Sequence, residues 1–402
     1  MAKKFLLVSQ VFYPDQVSTA NLFTDLCRVM VSPDTEIEVW CGQPTYTELH
    51  RQPANMLFDG ISIHYLASTN FPKTNIAGRL LNIISFTVVT VYKVLRSKDK
   101  TPIWTHTTPP FLGILLSLIC SFKKRKFIYI LLDIFPEGLI RLGKISKRNP
   151  FIRIWHNLFI KALIRSTRII VIGRDIREWV ENECKECGVK VEYIPHWQDE
   201  TLLFPIEYRK NNFILEHGLE DKFVVQYSGN MGLWNEMQTI GKAVKRNLED
   251  VIFIFVGGGI RKEELFNEFS IEEQQNVIML PFQPNESFNN TLTASAVQIV
   301  TLKEGLEGMA VPCKIYGILA AGLPVIAMVP EHSEIAYVVK EENCGIVLNP
   351  TDLDGLINAI TSLKSDVILR KKMGQNSRMA FEKKYTTRII AGKYITLLNQ
   401  LL

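Results

Sequence analysis

Short runs of apolar residues, each closed by a turn and followed by helical periodicity, recur along the whole chain. Eleven of them read as strands: 5–8, 36–40, 103–106, 127–131, 169–172, 223–227, 252–256, 277–280, 298–300, 325–327 and 345–348. Runs that are apolar throughout, without alternation, suit strands covered on both faces, as in parallel sheets. Helical patterns lie between them, for example at 19–30, 80–95 and 237–245. Strand and helix in alternation predict right-handed βαβ units and open, doubly wound α/β sheets. Eleven strands are too many for one such sheet, and 402 residues suit two cores of ordinary size. The break falls near 195–205, where Ile194-Pro195-His196-Trp197-Gln198-Asp199 leads into a polar tract. Two Rossmann-like domains are expected, 1–200 and 201–385. Ligands of doubly wound sheets collect beyond the carboxyl ends of the strands, so the loops there carry the function.

Three such loops in the second half suit a nucleotide. Tyr227-Ser228-Gly229-Asn230-Met231-Gly232 follows a strand and precedes a helix, and its glycines let backbone amides approach an anion. Val256-Gly257-Gly258-Gly259 leaves room for a flat or bulky group, and Phe282, between Pro281 and Gln283, can bracket a base. The block from Gly308 to Ala327 adds a loop with Met309 and Val311, then a helix expected to open at Pro312. Lys314 falls in its first turn, next to the helix amides and the positive end of the dipole. A phosphate-bearing ligand fits all four segments; an ordinary amphipathic helix is the plainer account of the last.

Charge is uneven. Between Arg79 and Arg168 there are 17 Lys or Arg against three acids, Asp99, Asp133 and Glu137, while the whole chain is only +5. The basic residues border two apolar pieces, 80–95 and 111–122, both shorter than the ~20 residues of a spanning helix. An anionic membrane surface is the expected partner of this segment. Buried α/β helices with solvated ends are the alternative. No nucleic-acid-reading module accompanies the charge. The seven Cys form no disulfide framework, and the lone Cys184-x-x-Cys187 lacks a second pair or His partners for zinc. With an N-terminus unlike a signal peptide, a reducing cytoplasm is expected.

In the order of these segments the chain resembles the retaining glycosyltransferases of the GT-B class often called family 4. It is most similar there to bacterial enzymes of O-antigen (lipopolysaccharide), capsule and exopolysaccharide assembly. The resemblance rests on Phe12-Tyr13-Pro14-Asp15, Thr107-Thr108-Pro109-Pro110, Asp133-Ile134-Phe135-Pro136-Glu137, the 194–199 segment, and the glycine loops and Val311–Ala327 block already described. It implies two facing Rossmann-like domains, with a helix at 386–402 crossing back onto the first. The second domain would hold a nucleotide sugar, UDP- or GDP-linked, through Gly229, Asn230, Gly232, Gly257, Gly258, Phe282, Glu307, Gly308, Met309, Val311, Pro312 and Lys314. The first would take a glycan acceptor, polyprenyl-diphosphate-linked, past Ser18 and Thr19, at the inner face of the cytoplasmic membrane. The product would be a hexosyl or N-acetylhexosaminyl linkage.

The chain departs from that pattern in three places. Gly317 and Met309 stand where many relatives carry two glutamates, leaving Glu304 or Glu307 to supply a carboxylate. Asn230 and Asn235 stand where an Arg and a Lys often hold the diphosphate, which shifts that task to Lys314, the Gly229–Gly232 amides and the helix end. Leu132 followed by Asp133 replaces a His. Asp133 and Glu137 are then the candidate catalytic carboxylates; a helix cap and a first-turn Glu are the structural alternative. No Asp-x-Asp motif occurs in a suitable loop, so neither metal nor cofactor is expected. Two other outcomes stay open: a GT-B enzyme of another type, such as an epimerase or soluble-acceptor transferase, and a non-catalytic binding relative, which the missing glutamates support.

Overall fold

The computed structural model describes residues 3–46, 50–72, 74–185 and 187–401. It divides into two compact units, Met1–Pro195 with Thr387–Leu402, and His196–Thr386. The chain thus changes units one residue after Ile194, inside the Pro-rich segment.

The first unit is built on an eight-stranded sheet. Its strands are β1 (Lys3–Ser9), β2 (Thr35–Cys41), β3 (Asn55–Phe58), β4 (Ile61–Tyr65), β5 (Ile103–His106), β6 (Phe127–Leu131), β7 (Arg168–Val171) and β8 (Val191–Tyr193). The order is β3-β4-β2-β1-β5-β6-β7-β8, parallel throughout except for β3, which returns antiparallel to β4. Strands β5 and β6 are buried at every residue, which is why they carry no alternation. Three strands escape the pattern of apolar runs. The β3–β4 hairpin alternates weakly and turns on Asp59 and Gly60, both at positive φ (48° and 79°), the geometry of a type I′ turn. Strand β8 has only three residues.

Six helices of this unit follow the strands: α1 (Ser18–Met30), α2 (Ile76–Arg96), α3 (Pro110–Phe122), α4 (Glu137–Arg141), α5 (Pro150–Arg165) and α6 (Arg174–Glu183). The apolar piece expected at 80–95 is a helix of 21 residues, long and apolar enough to cross a membrane by length and composition. It exceeds the expectation because Asn75 caps it, accepting from the Gly78 N–H, and so adds a turn before Leu80. The last helix, Thr387–Asn399, returns to this unit and packs against α1. Its fully buried Tyr394 meets the Trp104 ring at 5.8 Å. Leu402, the end of the helix expected at 386–402, lies outside the described residues.

The second unit carries a six-stranded parallel sheet of β9 (Phe223–Ser228), β10 (Val251–Val256), β11 (Val277–Leu280), β12 (Val297–Thr301), β13 (Val325–Met328) and β14 (Gly345–Leu348). The order β11-β10-β9-β12-β13-β14 reverses direction between β9 and β12. That reversal is the point at which doubly wound sheets leave a crevice for ligands. Apolar clusters cover both faces, one including Phe253, Phe255 and Ile299, the other Val224, Ile252 and Ile254. The helix expected to open at Pro312 begins two residues later, at Lys314, and ends at Ala320. Its first turn is tight: Ile315 N–H reaches the Pro312 carbonyl at 3.4 Å and Tyr316 N–H the Cys313 carbonyl at 3.2 Å. These i to i+3 bonds leave Pro312 outside the α-helix proper.

Candidate active site

Strands β9 and β12 diverge at their carboxyl ends, and the loops that follow β9, β10 and β11 fold against one another there. Gly229 N–H donates to the Val256 carbonyl at 2.8 Å, and Met231 N–H to the Gly258 carbonyl at 2.7 Å. Two of the amides expected to reach an anion from the Gly229–Gly232 loop are therefore committed to its neighbour. The contact is so close that a Cβ on Gly257, itself at φ 131°, would lie 2.1 Å from the Gly229 carbonyl oxygen. Only glycine allows that approach. A Cβ on Gly258 would come within 3.1 Å of the Phe282 ring, so this mostly exposed aromatic (64%) walls the same loop. Asn230 offers its carbonyl to the Tyr227 hydroxyl at 2.8 Å and the Asn235 side chain at 2.9 Å. Asn235 thus holds the loop in place of presenting a charge. Gly232 is buried beneath the Asn230 side chain.

Lys314 enters this loop cluster from the start of its helix. Its ammonium nitrogen lies 3.6 Å from the centre of the Tyr227 ring, and a Cβ on Gly229 would sit 3.2 Å from it. That nitrogen is buried and makes no hydrogen bond. Burial pushes its pKa from 10.5 down to about 7, so the ammonium is poised between charged and neutral. An unsatisfied cation held over an aromatic face, among glycine loops, calls for an anion. Met309 and Val311 are buried beside it in sequence, Gly308 takes positive φ (73°), and Glu307 is half-buried. Glu304 is exposed, its carboxylate 3.5 Å from the Asn349 amide. Among the described residues, no group of three or more His, Cys, Asp or Glu side chains is placed to hold a metal. Cys184 is buried and Cys187 exposed.

The residues expected on the acceptor side belong to the first unit, where the carboxyl ends of β1, β5 and β6 gather further polar groups. Thr107 ties two of these ends together, its Oγ1 accepting from the Leu132 and Asp133 amides at 3.1 and 3.2 Å. His106 lies 2.8 Å from Ser9 Oγ, which donates onward to the Val11 carbonyl at 2.6 Å. Thr108 N–H points at His106 Nδ1 (3.2 Å), which assigns the imidazole proton to Nε2. Full burial lowers His106 to about 3, so it is a neutral positioning group. Burial raises Asp133 from 3.8 to about 6, within reach of general-base work near neutrality.

Glu137, the second carboxylate candidate, is occupied otherwise. It is buried in the first turn of α4 and pairs with Lys147 at 2.8 Å and His156 Nδ1 at 3.6 Å. His156 continues to Glu183, also at 3.6 Å. This chain of contacts links α4 to α5 and α6 through Glu137 and His156. Ser18 and Thr19 begin α1 after Val17, the N-cap residue; Ser18 is exposed and Thr19 half-buried. Val17 itself provides no side-chain cap. Tyr227, Thr107 and the Ser9–His106 pair are site residues that spacing did not single out. Lys262 is another: its ammonium bridges the Gly257 and Leu280 carbonyls at 3.0 and 2.8 Å and clamps two loops.

Two doubly wound α/β domains, the second with glycine loops and a buried lysine at its strand reversal, have the architecture of the GT-B fold. Residues 209–380 match the family model of glycosyl transferases group 1. The chain is 26% identical over 342 residues to WbjE of Pseudomonas aeruginosa, described as a probable glycosyltransferase, with 83% of this chain and 84% of WbjE covered. Among solved structures it is similar to HepE of Anabaena in complex with UDP (TM-score 0.69, 13% identity, all of both chains covered). It is likewise similar to WaaG, a glycosyltransferase involved in lipopolysaccharide biosynthesis (TM-score 0.70, 12% identity, 98% of this chain and 99% of WaaG). With the family match over its second domain, the protein is a glycosyltransferase enzyme.

Proposed function

We propose that the protein transfers a hexosyl or N-acetylhexosaminyl group, with retention of configuration, from a UDP- or GDP-linked sugar to a polyprenyl-diphosphate-linked glycan. The reaction belongs to the assembly of a bacterial surface polysaccharide, at the inner face of the cytoplasmic membrane. The observation that carries this reading is the Lys314 ammonium, buried over Tyr227 among the loops of Gly229, Gly257 and Phe282. Breaking the anomeric C–O bond places charge on the departing diphosphate, and a preorganised cation in a dry site stabilises it without reorganisation. Lys314 does this without a metal. In a retaining transfer the acceptor hydroxyl attacks from the leaving-group side, where a phosphate oxygen takes its proton. Asp133 orients the acceptor hydroxyl from the first domain. The basic excess of 79–168 supports the lipid-linked acceptor, and the similarity to WaaG, involved in lipopolysaccharide biosynthesis, suits the surface-polysaccharide setting.

Thermal unfolding against UDP-, GDP-, dTDP- and CMP-linked sugars, each with and without EDTA, tests the donor. One nucleotide should stabilise the protein selectively, with no effect of EDTA. No stabilisation by any of them would favour a non-catalytic relative, and stabilisation abolished by EDTA would remove the metal-free mechanism.

A further inference from the structure

Helix α2 is inverted relative to an ordinary surface helix. It turns Asn82, Thr87 and Thr90 inward with Phe86 and Val94, and exposes Ile76, Leu80, Ile84, Val88 and Tyr92 at every fourth position. Packing apolar residues outward and polar ones inward makes sense only if the outer face is not in water. Helix α3, which packs on α2, continues the stripe with Phe111, Leu115, Leu118 and Phe122, the last 85% exposed. Helix α5, which packs on α3 through the Phe111–Trp155 ring contact at 4.8 Å, adds Phe151, Ile154 and Leu158, with Phe151 78% exposed.

None of the three helices carries a carboxylate. Exposed cations stand on them and at their ends: Arg79, Lys98, Lys124, Arg148, Arg153 and Lys161. An apolar face edged by cations and free of acids matches acyl chains beneath anionic headgroups. A soluble protein partner would give no reason for the missing acids.

We infer that the joined outer face of α2, α3 and α5 is a lipid-insertion surface, which seats the first domain in one leaflet of an anionic bilayer with the three helices lying in the interface. For its purpose this rests on the proposed lipid-borne acceptor, and it goes beyond charge attraction because the apolar stripe enters the acyl boundary. Although α2 is long enough to span, its inward polar face is packed within the domain, and about one third of its apolar window is buried there. It lies flat on the domain instead of crossing.

Flotation of the full chain with vesicles of phosphatidylcholine alone, or with 30% phosphatidylglycerol (about that fraction suffices for a charged surface), tests the surface at low and high salt. Two triple variants, Leu80→Ser/Ile84→Ser/Val88→Ser and Leu115→Ser/Leu118→Ser/Phe122→Ser, remove only exposed side chains. Retained thermal unfolding and nucleotide-sugar stabilisation verify their fold. Each should lower the partition coefficient on anionic vesicles by about tenfold or more, since each loses several buried methylene equivalents. Wild-type protein should keep a measurable bound fraction at high salt. Unchanged partitioning of both variants, or complete release of the wild type by salt, would overturn the inference. A change of oligomeric state in the variants with unchanged vesicle binding would also overturn it, assigning the face to a second copy. Vesicle binding without any nucleotide-sugar stabilisation would uphold the surface while removing the transferase reading.

Discussion

Lys314 should couple donor binding to proton uptake. In the unliganded protein burial holds its pKa near 7 against the ordinary 10.5, a penalty on the charged form on the order of 5 kcal/mol. A diphosphate charge about 4 Å away, at an effective dielectric of about 20, returns about 4 kcal/mol, so the bound ammonium regains nearly its ordinary pKa. The donor therefore selects the protonated form. That form makes up about three-quarters of the free protein at pH 6.5 and about 3% at pH 8.5, so donor affinity should weaken roughly 25-fold between them. The sign for folding is opposite. The folded state holds fewer protons than the unfolded chain between about 7 and 10.5, so this group's contribution to unliganded stability rises with pH across that window. Calorimetric titration with the nucleotide sugar that stabilises best, in buffers of different ionisation enthalpy, reads both affinity and protons taken up. Lys314→Met should bind weakly and independently of pH. Wild-type affinity that stays level within twofold from pH 6.5 to 8.5, with no proton uptake, would refute the reasoning.

Tyr227→Leu removes the aromatic face under Lys314 and should weaken donor binding by about 30-fold, the equivalent of a desolvated cation–π contact of about 2 kcal/mol. Tyr227→Phe keeps that face, loses the hydroxyl bonds to the Asn230 carbonyl and Thr301, and should stay within about tenfold of wild type; titration of both variants distinguishes the two contributions. Asp133→Asn should cut turnover far more than donor affinity, and it should abolish an acidic limb in the wild-type rate profile near pH 6, where the carboxylate protonates. An unaltered pH–rate profile in that variant would remove Asp133 from the reaction. Gly257→Ala drives a methyl group to 2.1 Å from the Gly229 carbonyl and should lower stability by about 2 kcal/mol or more, read as a fall in Tm.

The sheets were legible in the sequence because their central strands are buried on both faces, and a continuous apolar run has few other uses. β3 and β4 at the edge are half-exposed and lose that signature, although Asp59-Gly60 between them is a strong hairpin signal that periodicity alone passes over. The donor loops could be found from glycines at strand ends. What those glycines do could not: two of the four Gly229–Gly232 amides bond to the neighbouring loop, a pairing that depends on the β9–β10 register. Glu137 shows the same limit in a single side chain. Its position after a strand marks it as a catalytic carboxylate, but Lys147 and His156 reach it from further along the chain, and Glu183 reaches His156 in turn. The inverted face of α2 was visible as an apolar run, yet which side of it faces out depends on where the domain places Asn82 and Thr90.

The departures from the glycosyltransferase pattern are consistent with one another in physical terms. A glutamate at position 317 would have to grow from a buried backbone where an added Cβ would meet Leu203 at 3.2 Å and Leu292 and Gln198 Oε1 at 3.9 Å, none of which is a cation to pair with it. Position 309 is also fully buried. The packing that excludes a glutamate at 317 belongs to the same helix that presents Lys314, and the asparagines at 230 and 235 remove two cations from the neighbouring loop while bracing it. In the proposed reading Lys314 is the ammonium that meets the diphosphate, because Lys262 is engaged by the Gly257 and Leu280 carbonyls whereas the Lys314 nitrogen makes no hydrogen bond. That ammonium can carry the task because it is desolvated: at low dielectric a single charge interacts with phosphate several times more strongly than the same charge in water. The cost of keeping it dry is its depressed pKa, so the loss of the usual residues and the pH-dependence of donor binding are two consequences of one arrangement.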